Sequence, residues 1–284
     1  MTASTMDAVG SGAITDCHVH VFEDKTRYPV QVASAYEPPF SPVSTLLDAA
    51  DSAGVSRFVL VQPTPYGDDL SLLKMALSSF NGRARGVGVA HACTTEEALL
   101  QMQDAGVVAL RFVGMKLPDG SAMPGCVPFD ALGSRLGSIL RELGMHAELW
   151  APLSETLARW TQLERTGIPV VLDHMGGFDP KLGRNHKDFQ RLLALLRDGA
   201  VWVKLAICRR VSASLYDALR PFHDEMIEAN SDHLLWASDF PFVRYQESMP
   251  TMSGLLAQFH RWVPDEEVAH RILTQNPARL YQFT

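Results

Sequence analysis

Eight short runs of β-branched and apolar residues recur along this chain, each followed by a stretch with helical spacing. That alternation limits the fold more than any other feature. The runs cover residues 14–22, 58–63, 84–90, 107–113, 145–150, 169–174, 201–206 and 234–239. Segments such as LLDAADSAG, TEEALLQMQDAG and HKDFQRLLALLRDG lie between them, with leucine, alanine or phenylalanine at i, i+3, i+4 and i+7 type intervals. Several end on glycine (Gly54, Gly106, Gly144, Gly167, Gly199), the usual residue just past a helix C-terminus. Strands alternating with helices predict a parallel sheet with right-handed crossovers. Eight such units predict an α/β fold of the (β/α)8 TIM-barrel type. An open doubly wound sheet would carry a glycine-rich phosphate turn after an early strand; here that position reads CHVHVFED.

Length agrees with one barrel domain over residues 14–284: the chain has 284 residues, and such barrels need about 250. Residues 1–13, MTASTMDAVGSGA, have neither the basic nor the apolar segment of a secretory signal and read as a flexible tail. A formal charge of −7 argues against nucleic acid and anionic membrane as partners, while leaving room for a small acidic ligand held by a few arginines. No apolar run approaches the roughly 18 residues of a membrane span. The cysteines at 17, 93, 126 and 208 form no C-x-x-C pair, so a reduced, cytoplasmic protein is expected. The sequence does not give the oligomeric state.

Barrel chemistry gathers at the C-terminal ends of the strands, where the βα loops open. The polar residues there are His18 and His20 on strand one, Gln62 and Thr64 at strand two, and Arg111 on strand four. His146, Glu148 and Trp150 share one parity on strand five. Asp173 and His174 end strand six, Lys204 lies on strand seven, and Asp239 closes strand eight. Alternation puts His18 and His20 on one face. Unpartnered buried polar groups cost about 1–3 kcal/mol each, so stability alone does not select such a ring. His91, His186, His223, His233, His260 and His270 read as surface or loop residues, Glu148 as the partner of a cation inside the barrel, and Met102, Trp160 and Trp262 as packing.

With these residues in place the chain resembles the amidohydrolase superfamily, and within it the 2-pyrone-4,6-dicarboxylate hydrolase-like branch of lactonases. The motifs are DCHVHVF (16–22), VLVQPTPYG (59–67), ALRFV (109–113), VVLDHMGG (170–177), WVKLA (202–206), WASDFPF (236–242) and NPARLY (276–281). The resemblance implies hydrolysis of a carboxylated lactone, as in the breakdown of aromatic compounds. Asp239 would be the general base, and His18, His20 and His174 would polarise the carbonyl. It further implies substrate contacts from Tyr36, Thr64, Arg111 and Arg210, with Trp150 and Arg244 beside them.

Departures from the family pattern are Leu117 where a second arginine is expected, Trp150 for a tyrosine, Phe240-Pro241-Phe242 after strand eight, and Arg244 for a neutral amide. They leave the substrate open between a dicarboxylate and a less acidic lactone. No cofactor is implied, although His18, His20, His174 and Asp239 also form a set that suits Zn²⁺. A metal-dependent amidohydrolase or decarboxylase, a lactone isomerase and a non-catalytic binding protein on the same fold are the alternatives.

Overall fold

The computed structural model describes residues 12–34, 36–117, 119–245 and 249–283. Apart from Gly12 and Ala13, the expected tail lies outside the described residues. Eight strands run in the order β1 (Thr15–Val19), β2 (Arg57–Val61), β3 (Ala84–Gly88), β4 (Val107–Val113), β5 (His146–Trp150), β6 (Val170–Leu172), β7 (Trp202–Leu205) and β8 (Leu234–Trp236). Each pairs in parallel with the next. The seam between β8 and β1 is closed just beyond β8, where Val19 bridges Phe240. There the Asp239 amide donates to the His18 carbonyl (2.9 Å) and the His20 amide donates to the Phe240 carbonyl (2.8 Å). The result is the expected (β/α)8 barrel.

Helices cover the outside: α1 (Val43–Ala53), α2 (Ser71–Ser79), α3 (Glu96–Asp104), α4 (Arg135–Glu142), α5 (Leu153–Ala158), α6 (Trp160–Arg165), α7 (Lys187–Arg197) and α8 (Arg220–Asn230). The chain ends with α9 (Met252–Trp262), α10 (Glu266–His270) and α11 (Asn276–Tyr281). Local chemistry sets their ends. Thr95 caps α3 through its side chain, with Glu96 and Glu97 in the first turn, where the exposed N–H groups favour negative charge. Gly54 stops α1 in a left-handed conformation. No helix among the described residues is long and apolar enough to cross a membrane.

Strand alternation divides the core in two. Phe58, Leu60, Leu110, Phe112, Leu149, Val203 and Trp236 face the helices, whereas Val59, Val61, Val87, Ala109, Val171 and Leu235 pack inside the barrel. Tyr281 and Phe283 join that inner cluster, and Phe283 lies beneath the guanidiniums of Arg57 and Arg85 at the starts of β2 and β3. The lumen is thus sealed at its N-terminal end, leaving the opposite end for a site. Trp160 and Trp262 pack in the core as expected. His223 does not lie on the surface. It is buried on α8 against Phe259 and Trp262 of α9, because the α8–α9 contact needs a flat ring that periodicity cannot distinguish from an exposed one.

Candidate active site

At the C-terminal mouth the strands give way to loops, and there the backbone adopts unusual conformations. Asp239 has a φ of 64° and His174 a φ of 49°, followed by Met175 (56°), Gly176 (75°) and Gly177 (70°). Left-handed backbone costs a non-glycine residue about 1 kcal/mol or more. Here it turns consecutive side chains to different sides. Asp173 points into the barrel, while His174 points into a cavity of ≈ 70 Å³ at the mouth.

His20, Tyr36, Thr64, Arg111, Trp150, His174, Asp239 and Arg244 all line that cavity. His18 lies just beneath, fully buried. Three imidazole nitrogens surround the Asp239 carboxylate: His18 Nε2 at 3.5 Å and His20 Nε2 at 3.4 Å from Oδ1, and His174 Nε2 at 3.7 Å from Oδ2. Burial, helped by the Arg111 guanidinium, pulls the His20 pKa down to about 3. Burial likewise takes His174 to about 3 against the attraction of Asp173, and it holds His18 well below the usual imidazole range. All three rings are neutral near pH 7. The Nδ1 of His20 lies 2.7 Å from the Val61 carbonyl oxygen, which can only accept, so Nδ1 carries the proton and Nε2 offers a lone pair.

Arg210 is not part of the cavity. Its guanidinium covers the Phe178 ring, 5.4 Å from the centroid. The neighbouring Arg209 enters instead, with Nε on Asp239 Oδ2 and Nη1 donating to the Val243 carbonyl at 2.6 Å. Sequence reasoning missed Arg209, and also the lining residues Pro63, Met123 and Val243. The strand-seven parity that ordered Trp202 and Lys204 is lost in the 3-10 turn Ile207–Arg209. The two adjacent arginines were visible, but their phase was not.

Below the cavity lies a buried ionic cage. Lys204 Nζ contacts Glu148 Oε2 and lies 3.3 Å from both Asp173 Oδ1 and His18 Nδ1. Arg111 Nη2 reaches Asp173 Oδ2 at 3.3 Å, and the Tyr281 hydroxyl donates to Glu148 Oε1 at 2.8 Å. Burial would lift both carboxyls and is the largest single influence. The Lys204 ammonium, joined by His146 at Glu148 and by His18 and Arg111 at Asp173, outweighs it, lowering Glu148 and holding Asp173 well below the usual carboxylate range. Glu148 is the partner of a cation, as expected. Arg111 also stacks on Trp150, 4.9 Å from its centroid.

Two sets of donors are spaced closely enough to hold a metal ion. The lower one, His18, Glu148 and Asp173, already surrounds the Lys204 ammonium, so its charge is balanced. The upper one, His18, His174 and Asp239, fits a zinc ion by position, since the Nε2 atoms of His18 and His174 are buried without a hydrogen-bond partner among the described residues. Arg209 would have to share Asp239 with such an ion. A larger open groove on the outside of the barrel, lined by Arg141, Arg159 and Gln162, holds no comparable convergence of groups.

A family model described as amidohydrolase matches residues 15–283. The chain belongs to the amidohydrolase family. Among its relatives is a 2-pyrone-4,6-dicarboxylate hydrolase of Comamonas testosteroni, 30% identical over 95% of this chain and 90% of that protein. A 4-sulfomuconolactone hydrolase of Rhizobium radiobacter is 30% identical over 96% of this chain and 91% of its own length. A solved structure from Acinetobacter baumannii, described as a probable 2-pyrone-4,6-dicarboxylic acid hydrolase with citric acid bound, superposes with a TM-score of 0.82. It shares 26% identity and covers 95% of this chain and 99% of that one.

Proposed function

We propose that this amidohydrolase opens the ring of a carboxylated lactone by hydrolysis, with Asp239 as general base. The observation that carries the reading is Asp239 itself, in contact with three neutral imidazoles inside a cavity that also presents the guanidiniums of Arg111, Arg209 and Arg244. Arg111 is shared with Asp173 below and Arg209 is paired with Asp239, so Arg244 adds a further cation to an otherwise balanced site within a protein of net charge −7, which favours an anionic ligand. Planar guanidinium forks match carboxylates. Relatives named for a pyrone dicarboxylate and a sulfonated muconolactone support an acidic lactone, and citric acid on the Acinetobacter protein supports a ligand with several carboxylates.

In the reaction, a water near Asp239 Oδ1 and His20 Nε2 finds two acceptors for its protons. Its oxygen attacks the lactone carbonyl carbon and one proton passes to Asp239. Negative charge then develops on the carbonyl oxygen. His20 cannot donate to it through Nε2 while neutral, so stabilisation falls to His18, His174 and the nearby guanidiniums. The ring C–O bond breaks, and the proton on Asp239 goes to the departing ring oxygen. Zinc held by His18, His174 and Asp239 would supply Lewis acidity and a more acidic water. The steps above use only the chain's own groups, and we place them in the cytoplasm, where four unpaired thiols suit a reducing environment.

The test is a panel of acidic and neutral lactones, assayed for acid release with and without exhaustive chelation. Acidic lactones are expected to turn over in both conditions. Asp239→Asn should lower kcat by about 10²–10⁴-fold with little change in KM. Retained turnover in Asp239→Asn would sink the assignment of the base, and activity restored only by Zn²⁺ would replace this route with a metal-dependent one.

A further inference from the structure

A lysine ammonium has three protons to place, and a fully buried one presents none of them to bulk solvent. Around Lys204 Nζ, which is fully buried, stand three neighbours: Glu148 Oε2, Asp173 Oδ1 and His18 Nδ1, the last two at 3.3 Å. Asp173 Oδ1 also lies 3.2 Å from His18 Nδ1, so that nitrogen faces one obligate donor and one acceptor. Two proton placements are possible. With the proton on Nδ1, His18 donates to Asp173, and one ammonium proton is left pointing at another donor. With Nδ1 bare, all three ammonium protons find acceptors. Both Asp173 oxygens are still supplied, Oδ1 by Lys204 and Oδ2 by Arg111 Nη2 at 3.3 Å. Only the second arrangement places every ammonium proton on an acceptor; the donor it leaves over, the Nε2–H of His18, faces Asp239 Oδ1 on the cavity side instead of pointing at another donor.

We propose that Lys204 is a positioning residue that fixes His18 as the Nε2–H tautomer. The two imidazoles of the H-x-H pair then have opposite polarity at the cavity. His20 gives its Nδ1 proton to the Val61 carbonyl and presents a lone pair. His18 accepts a hydrogen bond from Lys204 at Nδ1 and presents an N–H at Nε2. That N–H is aimed toward Asp239 Oδ1 at 3.5 Å and has no hydrogen-bond partner among the described residues. It is a donor held ready for a ligand oxygen, with its reorganisation already accomplished by folding. The same proton removes His18 from the metal-binding set, because a protonated Nε2 is not a ligand. Glu148, held by the Tyr281 hydroxyl at 2.8 Å, anchors the far side of the ammonium and so keeps it beneath His18.

The tautomer claim stands apart from the lactone reading; only its catalytic consequence rests on that reading. The deciding measurement is a two-bond proton–nitrogen correlation spectrum of the whole ¹⁵N-histidine-labelled protein. His18 should show a bare Nδ1 and a protonated Nε2, and His20 the reverse. A native His18 with Nδ1–H overturns the proposal whatever the substrate is. Lys204→Met with Glu148→Gln removes both charges of the pair together, which avoids leaving one buried charge uncompensated. In that variant His18 should move its proton to Nδ1, facing Asp173. Its freed Nε2 should then raise Zn²⁺ affinity by roughly tenfold or more, read with a competing chromophoric chelator. The kcat for the best lactone of the panel should fall about 10–100-fold, the range expected when the partner that orients a histidine is lost, with KM little changed. An unaltered His18 pattern or unaltered zinc affinity in the folded variant also overturns it.

Discussion

An aspartate has two oxygens, and at Asp239 they meet different company. Oδ1 faces the Nε2 atoms of His18 and His20, while Oδ2 is taken by Arg209 and approached by His174. In the proposed reaction Oδ1 is the atom free to accept a proton, and Arg209 sets how the carboxylate is turned. Arg209→Met should therefore lower kcat/KM on an acidic lactone by about 10²-fold or more, the cost of removing one partner of a buried, hydrogen-bonded charge pair. Arg210→Met, acting on a guanidinium stacked over Phe178, should change it by less than about threefold. Steady-state kinetics of the two variants decide the matter, and a reversed order would remove Arg209 from the site. The H-x-H pair, Asp239 and Arg111 were legible in the sequence because strand parity and strand ends fix them. Arg209 was not, because choosing between adjacent arginines in a 3-10 turn requires a backbone angle that no residue pattern encodes.

The turn after β6 shows how an element supplies geometry beyond its side chains. The Asp173–His174–Met175–Gly176–Gly177 run leaves the strand through four consecutive left-handed residues, sending one side chain to the cage and the next to the cavity. A Cβ on Gly177 would meet the Ala151 carbonyl oxygen at 2.0 Å, whereas one on Gly54 would touch nothing within 4 Å. Gly177→Ala should thus destabilise by at least about 2–3 kcal/mol, and Gly54→Ala, which pays only for its positive φ, by about 1 kcal/mol. Urea denaturation of both checks this, and equal costs would show that the Ala151 approach does not matter. The VVLDHMGG motif placed this turn in the sequence; its left-handed run did not follow from composition. The predicted strands were also longer than the observed ones: 14–22 against Thr15–Val19, 169–174 against Val170–Leu172, and 234–239 against Leu234–Trp236. The excess is informative, since the extra residues include His20, His174 and Asp239, whose backbone has left the ladder to shape the site.

Across the whole molecule, the buried imidazoles couple the site to acid stability. His20 and His174 fall from 6.5 to about 3 on folding, and His18 shifts in the same direction. These groups have depressed pKa values. Their contribution is intact above about 6.5 and is lost as pH falls from there toward 3, because the unfolded chain binds protons that the native state refuses. Asp16 opposes them: burial raises it from 3.8 to about 6, so it adds stability as pH falls across that interval. Three groups outweigh one, and each contributes a slope of up to about 1.4 kcal/mol per pH unit. The denaturation midpoint should therefore drop steadily between pH 6.5 and 4. A flat profile over that range would mean that the rings are charged in the native state. The barrel itself was legible from eight apolar runs and their helical partners, because a period of two and a period of 3.6 each need only one face buried.

The closure of that barrel has one more implication. Its last stitches are the amides of Asp239 and His20, donated to the carbonyls of His18 and Phe240 respectively, so two residues of the seam, His20 and Asp239, are also residues of the cavity. A conventional enzyme can lose a catalytic loop and keep its scaffold. Here the keystone and the tool are the same stones, and partial opening of the ring would silence the enzyme before it unfolded the protein.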